Sequence, residues 1–185
     1  MVPIDEGGVR VIGLDPSLTS FGVGYLTVFP EPSEFRLWTE SSEILKPRVT
    51  GAQRLLWFYE KITQVIVHAD LVVVEGYAYS QGNAMAKMGE LGGVVRMAIY
   101  ESGVPWGDVA PTTLKKFITG KGNAKKDQIM LEVYKRWGFD KATTDEADAL
   151  GLAMMGATGV YDLNTGLPKT NLEALKKVEW QRLPE

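Results

Sequence analysis

Residues 9–29 have the sequence VRVIGLDPSLTSFGVGYLTVF, and this stretch decides the fold. The first seven residues are rich in β-branched and apolar types and end at Asp15. Pro16 then stops the strand, because proline cannot donate a backbone hydrogen bond. Residues 22–29 form a second run of the same kind, close enough to pair with the first as a hairpin. The sequence therefore predicts two adjoining strands with an aspartate at the end of the first.

Downstream of this hairpin, helical and strand patterns follow one another. Apolar residues at three- and four-residue spacing predict a helix over 48–68, and the apolar run 71–74 suits a strand buried on both faces. The other predictions are a strand at 35–39 or 40–45, a helix at 84–102, a strand at 104–109, helices beginning at Pro111, 125 and 145, and a terminal turn at 171–180. This order predicts an α/β fold, a mixed sheet flanked by helices.

The composition is that of a globular domain. Hydrophobic residues make up 45% of the 185 residues and charged residues 23%, which argues against disorder and against a coiled coil. The sequence contains no cysteine, which excludes disulfides, thiolate zinc sites and cysteine nucleophiles. Neither a signal peptide nor a membrane span is expected. The predicted location is cytoplasmic, in a cell or in the host of a virus that encodes the protein.

Two acidic residues are expected to meet at one edge of the sheet. Asp15 ends the first strand, and Glu75 ends the buried run at 71–74. If these strands are parallel neighbours, about 4.8 Å apart, both carboxylates emerge side by side at the carboxyl ends of the strands. An aspartate after a strand is commonly a turn residue. Glu75 is harder to explain in that way, because four apolar residues lead directly into it.

A second acidic pair stands at the start of a predicted helix. Thr143 and Glu146 have the spacing of a capping box, which places the beginning of a helix here. Asp145 and Asp148 are then three residues apart on one face of the first turn. Acidic residues in a first turn often only complement the helix dipole. Combined with the strand-end pair, however, they favour a catalytic cluster.

Four carboxylates in one cluster favour a metal-dependent reaction. Such groups repel one another and raise their own pKa values unless a cation neutralises them. Mg²⁺, or Mn²⁺ in its place, prefers oxygen ligands of this kind. Two ions about 3.5–4 Å apart would stabilise both the attacking and the leaving oxygen of a phosphodiester. The cluster thus predicts a nuclease with two metal ions in each active site.

The motifs, taken in order, resemble those of the RuvC-type Holliday junction resolvases, a family within the RNase H-like nuclease superfamily. The resembling segments are IGLDPSLTSFG at 12–22, VVVE at 72–75, GELGG at 89–93, PTTLKKFITGKGNAKK at 111–126 and DEADAL at 145–150. Each motif alone is weak, but the ordered set is specific. The resemblance implies an RNase H-like nuclease domain over residues 1–158, with a five-stranded mixed sheet. Residues 159–185 are expected to be a C-terminal extension.

The same resemblance implies the substrate and the roles of the acidic residues. Asp15, Glu75, Asp145 and Asp148 would be the catalytic metal ligands of a homodimer that makes paired symmetric nicks in four-way DNA junctions and leaves 5′-phosphates. Such an enzyme acts in DNA recombination or repair, and the sequence identifies no helicase partner. Where bacterial members usually have a phenylalanine, this chain has Tyr77 and Tyr79. These two tyrosines are candidates for stacking on unpaired bases.

The segment from Pro111 to Arg136 is strongly basic. Seven lysines and arginines stand there against two acidic residues, a local charge of +5 in a chain of net charge −3. Phosphate contacts should concentrate where positive charge does. The candidate DNA-binding residues are Lys115, Lys116, Lys121, Lys125 and Lys126, together with the two tyrosines. The alternative is a helical face whose lysines are merely solvated.

Two other functions fit parts of the pattern. A non-cleaving junction-binding protein would share the basic segment, although it has no need to hold four carboxylates against DNA. An actin-like phosphotransferase also has an acidic residue, glycine and hydroxyls after its first strand. That fold needs two related domains around the nucleotide, and this chain has the length for one. Metal-dependent cleavage of DNA distinguishes the nuclease from both.

Overall fold

The computed structural model describes residues 8–29, 37–76, 83–140, 143–163 and 165–181. The strands are β1 (Val9–Asp15), β2 (Phe21–Phe29), β3 (Leu37–Leu45), β4 (Leu71–Glu75), β5 (Trp106–Val109) and β6 (Glu179–Gln181). The helices are α1 (Gly51–Ile66), α2 (Asn83–Ser102), α3 (Pro111–Thr119), α4 (Lys126–Trp137), α5 (Thr144–Val160) and α6 (Lys169–Leu172), followed by a 3₁₀ helix over Glu173–Lys177. The third strand is a single element, Leu37–Leu45, which overlaps both of the ranges predicted for it.

The strands form one mixed sheet in the order β3-β2-β1-β4-β5-β6. β1, β4 and β5 are parallel neighbours at the centre, whereas β2, β3 and β6 pair antiparallel. The α/β class and the RNase H-like mixed sheet are thus confirmed. The sheet has six strands rather than five, because β6 from the predicted extension adds to the edge of β5.

One face of the sheet is covered by α5, which lies directly on the strands. A Cβ atom added at Gly13 would come within 1.8 Å of the Ala149 carbonyl oxygen, and one added at Gly24 within 2.6 Å of the Leu150 backbone nitrogen. Only glycine permits such an approach of helix backbone to strand backbone. The helix is buried continuously from 149 to 158. Its position over β1 and β2 is therefore set by backbone contact.

The other face is covered by α1 and α2 through large side chains. Phe58 and Ile62 of α1 and Ile99 of α2 are fully buried, and they share one apolar cluster with Leu14 and Val74 of the central strands. Successive side chains of a strand point to opposite faces of the sheet, so only every second residue of the central strands belongs to this cluster. Burial of apolar side chains, each worth about 1.5–3 kcal/mol, holds this face together.

The segment 163–181 packs against the rest of the molecule. Asn171 is 2% exposed and donates a hydrogen bond from Nδ2 to the Phe117 carbonyl oxygen at 2.8 Å. The Trp180 ring lies over Gly107, where an added Cβ would meet it at 2.6 Å, and over Gly159, where the distance would be 3.0 Å. Trp180 therefore docks on this domain. The division of the chain at residue 158 stays a prediction.

The length and polarity of the helices decide whether any of them could span a membrane. α2 is the longest at 20 residues, and it carries several charged side chains along its length. Of the helices in the described ranges, none is long and apolar enough to cross a membrane. The predicted cellular location stays a prediction.

Candidate active site

Asp15 and Glu75 lie side by side at the carboxyl ends of two parallel strands. β1 and β4 pair in parallel with Leu14 opposite Val74, which brings the next residue of each strand to the same edge. Asp15 is 9% exposed. Its carboxyl group and that of Glu75 are close enough to share a hydrogen bond. The two strands thus hold a buried carboxyl pair at one edge of the sheet.

The pKa values of this pair are raised. Burial raises the pKa of Asp15 well above its ordinary value, and the charges of Glu75 and Asp148 raise it further. Burial also raises the pKa of Glu75, from 4.5 to about 7, with the Asp148 charge acting in the same direction. The hydrogen bond with Asp15 and the positive charge of Lys115 oppose this second shift. Both shifts arise first from burial and second from the repulsion between neighbouring carboxylates.

The other two carboxylates lie at the start of α5, Asp145 in its first turn and Asp148 three residues later. Thr143 caps this helix by accepting a hydrogen bond from the Glu146 backbone nitrogen at 3.2 Å, as the capping pattern predicts. Burial raises the pKa of Asp148 to about 6, Lys115 and Lys126 oppose the shift, and Asp145 adds to it. Both aspartates also act on the pKa of Asp15, so the start of α5 is close to the strand-end carboxyl pair.

The chemistry of these donors fits a hard divalent cation. All four side chains offer oxygen, the ligand that Mg²⁺ and Mn²⁺ prefer. Asp148 Oδ1 is buried and has no hydrogen-bond partner, so this oxygen is left for a ligand. In the described parts of the chain, no three carboxylate or imidazole groups already form a finished ligand set. The fit of this site to a divalent cation therefore rests on the identity and the placement of the oxygen donors.

The predicted basic residues are distributed unequally around this site. Lys115 and Lys126 act electrostatically on the carboxylates, as their influence on the pKa of Asp148 shows. Lys116 instead forms an ion pair with Glu173 of the C-terminal segment at 3.1 Å. Lys121 and Lys125 are exposed to solvent. Two of the five lysines are thus placed beside the carboxylates and two on the outer surface of the same segment.

Tyr77 and Tyr79, the predicted stacking residues, lie outside the described residues. Their role stays a prediction.

Sequence reasoning missed two serine side chains at this site. Ser20 Oγ donates a hydrogen bond to Asp145 Oδ2 at 2.7 Å, and Ser42 Oγ donates one to Glu146 Oε1 at 3.0 Å. The loop that presents Ser20 is turned by Ser17, whose Oγ accepts hydrogen bonds from two backbone N–H groups further on. Serine after Asp15-Pro16 was a visible signal for this loop. Nothing in the sequence distinguishes Ser42 from other strand serines.

A cleft of about 730 Å³ lies elsewhere, between α1 and the strands β1, β2 and β3. Trp57 lines this cleft and makes an edge-to-face contact with Phe58. None of the four carboxylates lines the cleft. The volume of this cleft does not identify the candidate active site. The buried carboxyl groups with raised pKa values identify the acidic edge instead.

The sheet order, the covering helices and the acidic strand ends together define an α/β domain of the RNase H-like nuclease class. The family model described as crossover junction endodeoxyribonuclease RuvC matches residues 11–156. The RuvC protein of Paramagnetospirillum magneticum is 30% identical over 155 residues, which cover 80% of this chain and 91% of that protein. The RuvC protein of Cereibacter sphaeroides is 32% identical over 154 residues, covering 80% and 89%.

Solved structures agree on the fold. The structure of Thermus thermophilus RuvC superposes with a TM-score of 0.66 at 24% identity, covering 94% of this chain and 100% of that one. The same protein in complex with a Holliday junction substrate gives a TM-score of 0.67, also at 24% identity. The chain belongs to the RuvC family of crossover junction endodeoxyribonucleases. The predicted family, fold and class of enzyme are confirmed.

Proposed function

We propose that this protein is a metal-dependent endonuclease that resolves four-way DNA junctions by paired symmetric nicks, with Asp15, Glu75, Asp145 and Asp148 as its catalytic carboxylates. The observation that carries the proposal is the convergence of two strand ends and one helix turn on a single acidic space. Three of the four carboxyl groups there have raised pKa values. Burial and mutual repulsion disfavour the charged form of these groups, and a bound cation would stabilise it.

The proposed cation is Mg²⁺, with Mn²⁺ as a substitute, and two ions occupy each site. When bound, the ions lower the pKa of water and stabilise the oxygens that attack and leave the phosphorus. The four carboxylates would hold them, and metal binding would compete with protonation of these groups. Lys115 offsets part of the negative charge of Glu75 and Asp148. It is therefore placed to stabilise the negative charge that develops on the phosphate under attack.

Branched DNA is the proposed substrate. The exposed side chains of Lys121, Lys125 and Lys126 extend the positive surface outward from the acidic space. Lys116, through its partly exposed pair with Glu173, is close to the same surface. The Thermus thermophilus relative solved with a Holliday junction substrate supports this choice of DNA. Tyr77 and Tyr79 remain the proposed stacking residues.

We further propose that the enzyme is a homodimer, because two opposed nicks need two sites related by a two-fold axis. Helix α2 supports this proposal with an open apolar stripe. Met85 is 47% exposed and Met97 is 52% exposed. Between them, an added Cβ at Gly89 or Gly93 would meet no other atom within 4 Å. A second copy of α2 could approach closely along this stripe.

The test is cleavage of a labelled four-way junction, a Y-fork and a linear duplex with Mg²⁺, Mn²⁺ or EDTA. Symmetric nicking of the junction, dependent on metal, is the expected result. Glu75→Gln should reduce the rate by at least about 100-fold, since even residues that only support metal ligands change activity by about 10- to 100-fold. Glu60→Gln, which alters an exposed glutamate of α1 in the same way, is the matched control and should cut normally.

Other outcomes would change the proposal in defined ways. Equal cutting of forks and junctions would widen the substrate to branched DNA in general. Binding of the junction without cleavage under every metal condition would contradict the enzyme and favour a junction-binding protein. Turnover of ATP without DNA cleavage would favour the phosphotransferase class.

A further inference from the structure

Two serine hydroxyl groups connect the first turn of α5 to parts of the chain that are distant in sequence. Ser20, from the loop after β1, donates its hydrogen bond to Asp145 Oδ2 at 2.7 Å. Ser42, from β3, donates to Glu146 Oε1 at 3.0 Å, and Thr143 Oγ1 donates to the other oxygen of the same carboxylate at 2.9 Å. The first turn of α5, which carries Asp145, is therefore held from two directions.

The backbone beneath this turn leaves it little freedom. A Cβ added at Gly22 would lie 2.3 Å from the Asp145 carbonyl oxygen, so β2 and the helix are already in contact there. This contact fixes the height of the turn above the sheet. It does not fix the rotation of the Asp145 carboxylate about its own side-chain bonds, which is a broad torsion in aspartate. The hydrogen bond from Ser20 supplies that missing restraint.

We propose that Ser20 is a positioning residue for Asp145, and that Ser42 has the same role for the helix turn through Glu146. The Ser20 hydroxyl occupies one lone pair of Oδ2 and sets the plane of the carboxylate. The remaining lone pairs then face the acidic space in one orientation. Partners that orient a ligand in this way contribute to metal affinity although they do not touch the ion. This inference rests on the proposed function, because it treats Asp145 as a metal ligand.

The loop around Ser20 is built to keep this geometry. Ser17 Oγ accepts the backbone N–H of Ser20 at 3.3 Å and that of Thr19 at 3.5 Å, which turns the chain sharply after Pro16. Ser20 is followed directly by Phe21, which is fully buried. The serine thus has an anchored residue after it and a closed turn before it. Its hydroxyl is presented to α5 by a short and restrained loop.

The experiment compares Ser20→Ala, Ser20→Thr and Ser42→Ala with the unaltered protein. Binding of Mn²⁺ without DNA is followed by electron paramagnetic resonance, and junction cleavage is measured separately. Ser20→Ala is expected to weaken Mn²⁺ binding by about 10-fold and to lower kcat with little change in KM for the junction. Ser20→Thr keeps the hydroxyl and should restore both. Ser42→Ala should give a smaller change in the same direction, because it acts through the turn.

Ser102→Ala is the matched control. This serine lies at the end of α2, and its variant loses two hydrogen bonds there. Ser102 Oγ donates to the Ile99 carbonyl oxygen at 2.6 Å and accepts from the Val104 backbone nitrogen at 3.3 Å. Its variant should change thermal stability without changing Mn²⁺ affinity. If Ser20→Ala does not fold, Ser20→Cys, which keeps the size with a weaker donor, provides the comparison.

The two proposals fail in different ways. Equal Mn²⁺ affinity and equal kcat for Ser20→Ala and the unaltered protein would overturn the positioning role alone. An unaltered protein that binds Mn²⁺ but cuts no DNA would overturn the proposed function. The Mn²⁺ affinities of the variants would still test the positioning role of Ser20. A parallel loss in Ser102→Ala would also count against the positioning role, because it would show a general effect of stability.

Discussion

The two faces of the sheet are held by different kinds of contact. On the α5 face, glycines at 13, 22 and 24 let helix backbone touch strand backbone, and an added Cβ would meet it at 1.8–2.6 Å. On the opposite face, α1 and α2 contribute large side chains such as Phe58 and Ile99, which interdigitate with those of the strands. The backbone contacts on the α5 face involve no side chain that can rotate away. The contacts on the opposite face involve many such side chains.

This difference separates the part of the fold that must be rigid from the part that need not be. Asp145 and Asp148 belong to the helix held by backbone contact. Their distance from Asp15 and Glu75 decides whether one set of carboxylates can form. Cores built from side chains tolerate exchanges of similar volume, whereas backbone contacts do not. The acidic site is therefore built on the less tolerant face.

The largest expected effect comes from placing a methyl group between backbone and backbone. Gly13→Ala should destabilise the protein by roughly 3 kcal/mol or more, because the added Cβ would stand 1.8 Å from the Ala149 carbonyl oxygen. Urea unfolding of the metal-free protein measures this loss. Any folded fraction should cut DNA poorly, since α5 must move away from the strands.

Gly151→Ala is the matched control within the same helix. Its added Cβ would meet Ile118 Cδ1 at 2.6 Å, and that atom is the end of a side chain that can turn. We expect a change of about 1 kcal/mol or less, because alanine also favours the helix. Similar losses for Gly13→Ala and Gly151→Ala would remove the distinction between the two kinds of contact.

A medium effect is expected from pH, and it should be confined to the acidic edge. Folding raises the pKa of Glu75 to about 7 and that of Asp148 to about 6. Between pH 4.5 and 7 the folded metal-free protein therefore binds more protons than the unfolded chain, and its stability falls as pH rises. The loss is on the order of 3 kcal/mol for each of the two groups and is complete above the folded pKa values.

Divalent metal should reverse this trend, because the ion takes the place of the protons. Urea unfolding at pH 5 and pH 8, with EDTA or with Mg²⁺, measures both effects. Mg²⁺ is expected to stabilise the protein at pH 8 and to do little at pH 5. In Glu75→Gln the decline with pH should be smaller. A metal-free stability that rises from pH 5 to pH 8 would contradict the raised pKa values.

The smallest effect is expected on the side-chain face. Ile62→Val removes one methylene group from a fully buried position of α1. It should cost about 0.5–1.5 kcal/mol, and the neighbouring side chains can partly close the gap. Junction cleavage at 25 °C should be unchanged. A large loss of activity in this variant would show that the α1 face also controls the acidic site.

The strands and the acidic edge were the predictable part of this molecule. An unbroken apolar run leading into Glu75 indicates a buried parallel strand, and the Thr143–Glu146 spacing indicates a helix start. Both are local patterns. Together the two patterns predict one cluster of four carboxylates. The role of these carboxylates as metal ligands stays a proposal.

The unpredictable part consists of contacts between distant segments. Ser42 reaches Glu146 across 104 positions of sequence, and Asn171 reaches Phe117 across 54. No periodicity encodes such pairs, because they arise only when the sheet and the helices have packed. The β6 strand was not predicted from the sequence, because three residues are too few to show an alternating pattern.

The parallel pairing of β1 with β4 also bears on how the molecule folds. Sixty residues separate Asp15 from Glu75, and a further seventy separate Glu75 from Asp145. Contacts of such long range form slowly, because the chain between them must lose entropy before the contact compensates for it. The carboxyl cluster is therefore completed only when these distant segments have packed, and no single hairpin or helix contains it. If these are the catalytic groups, as proposed, a partly folded chain lacks the full set and cannot cut DNA.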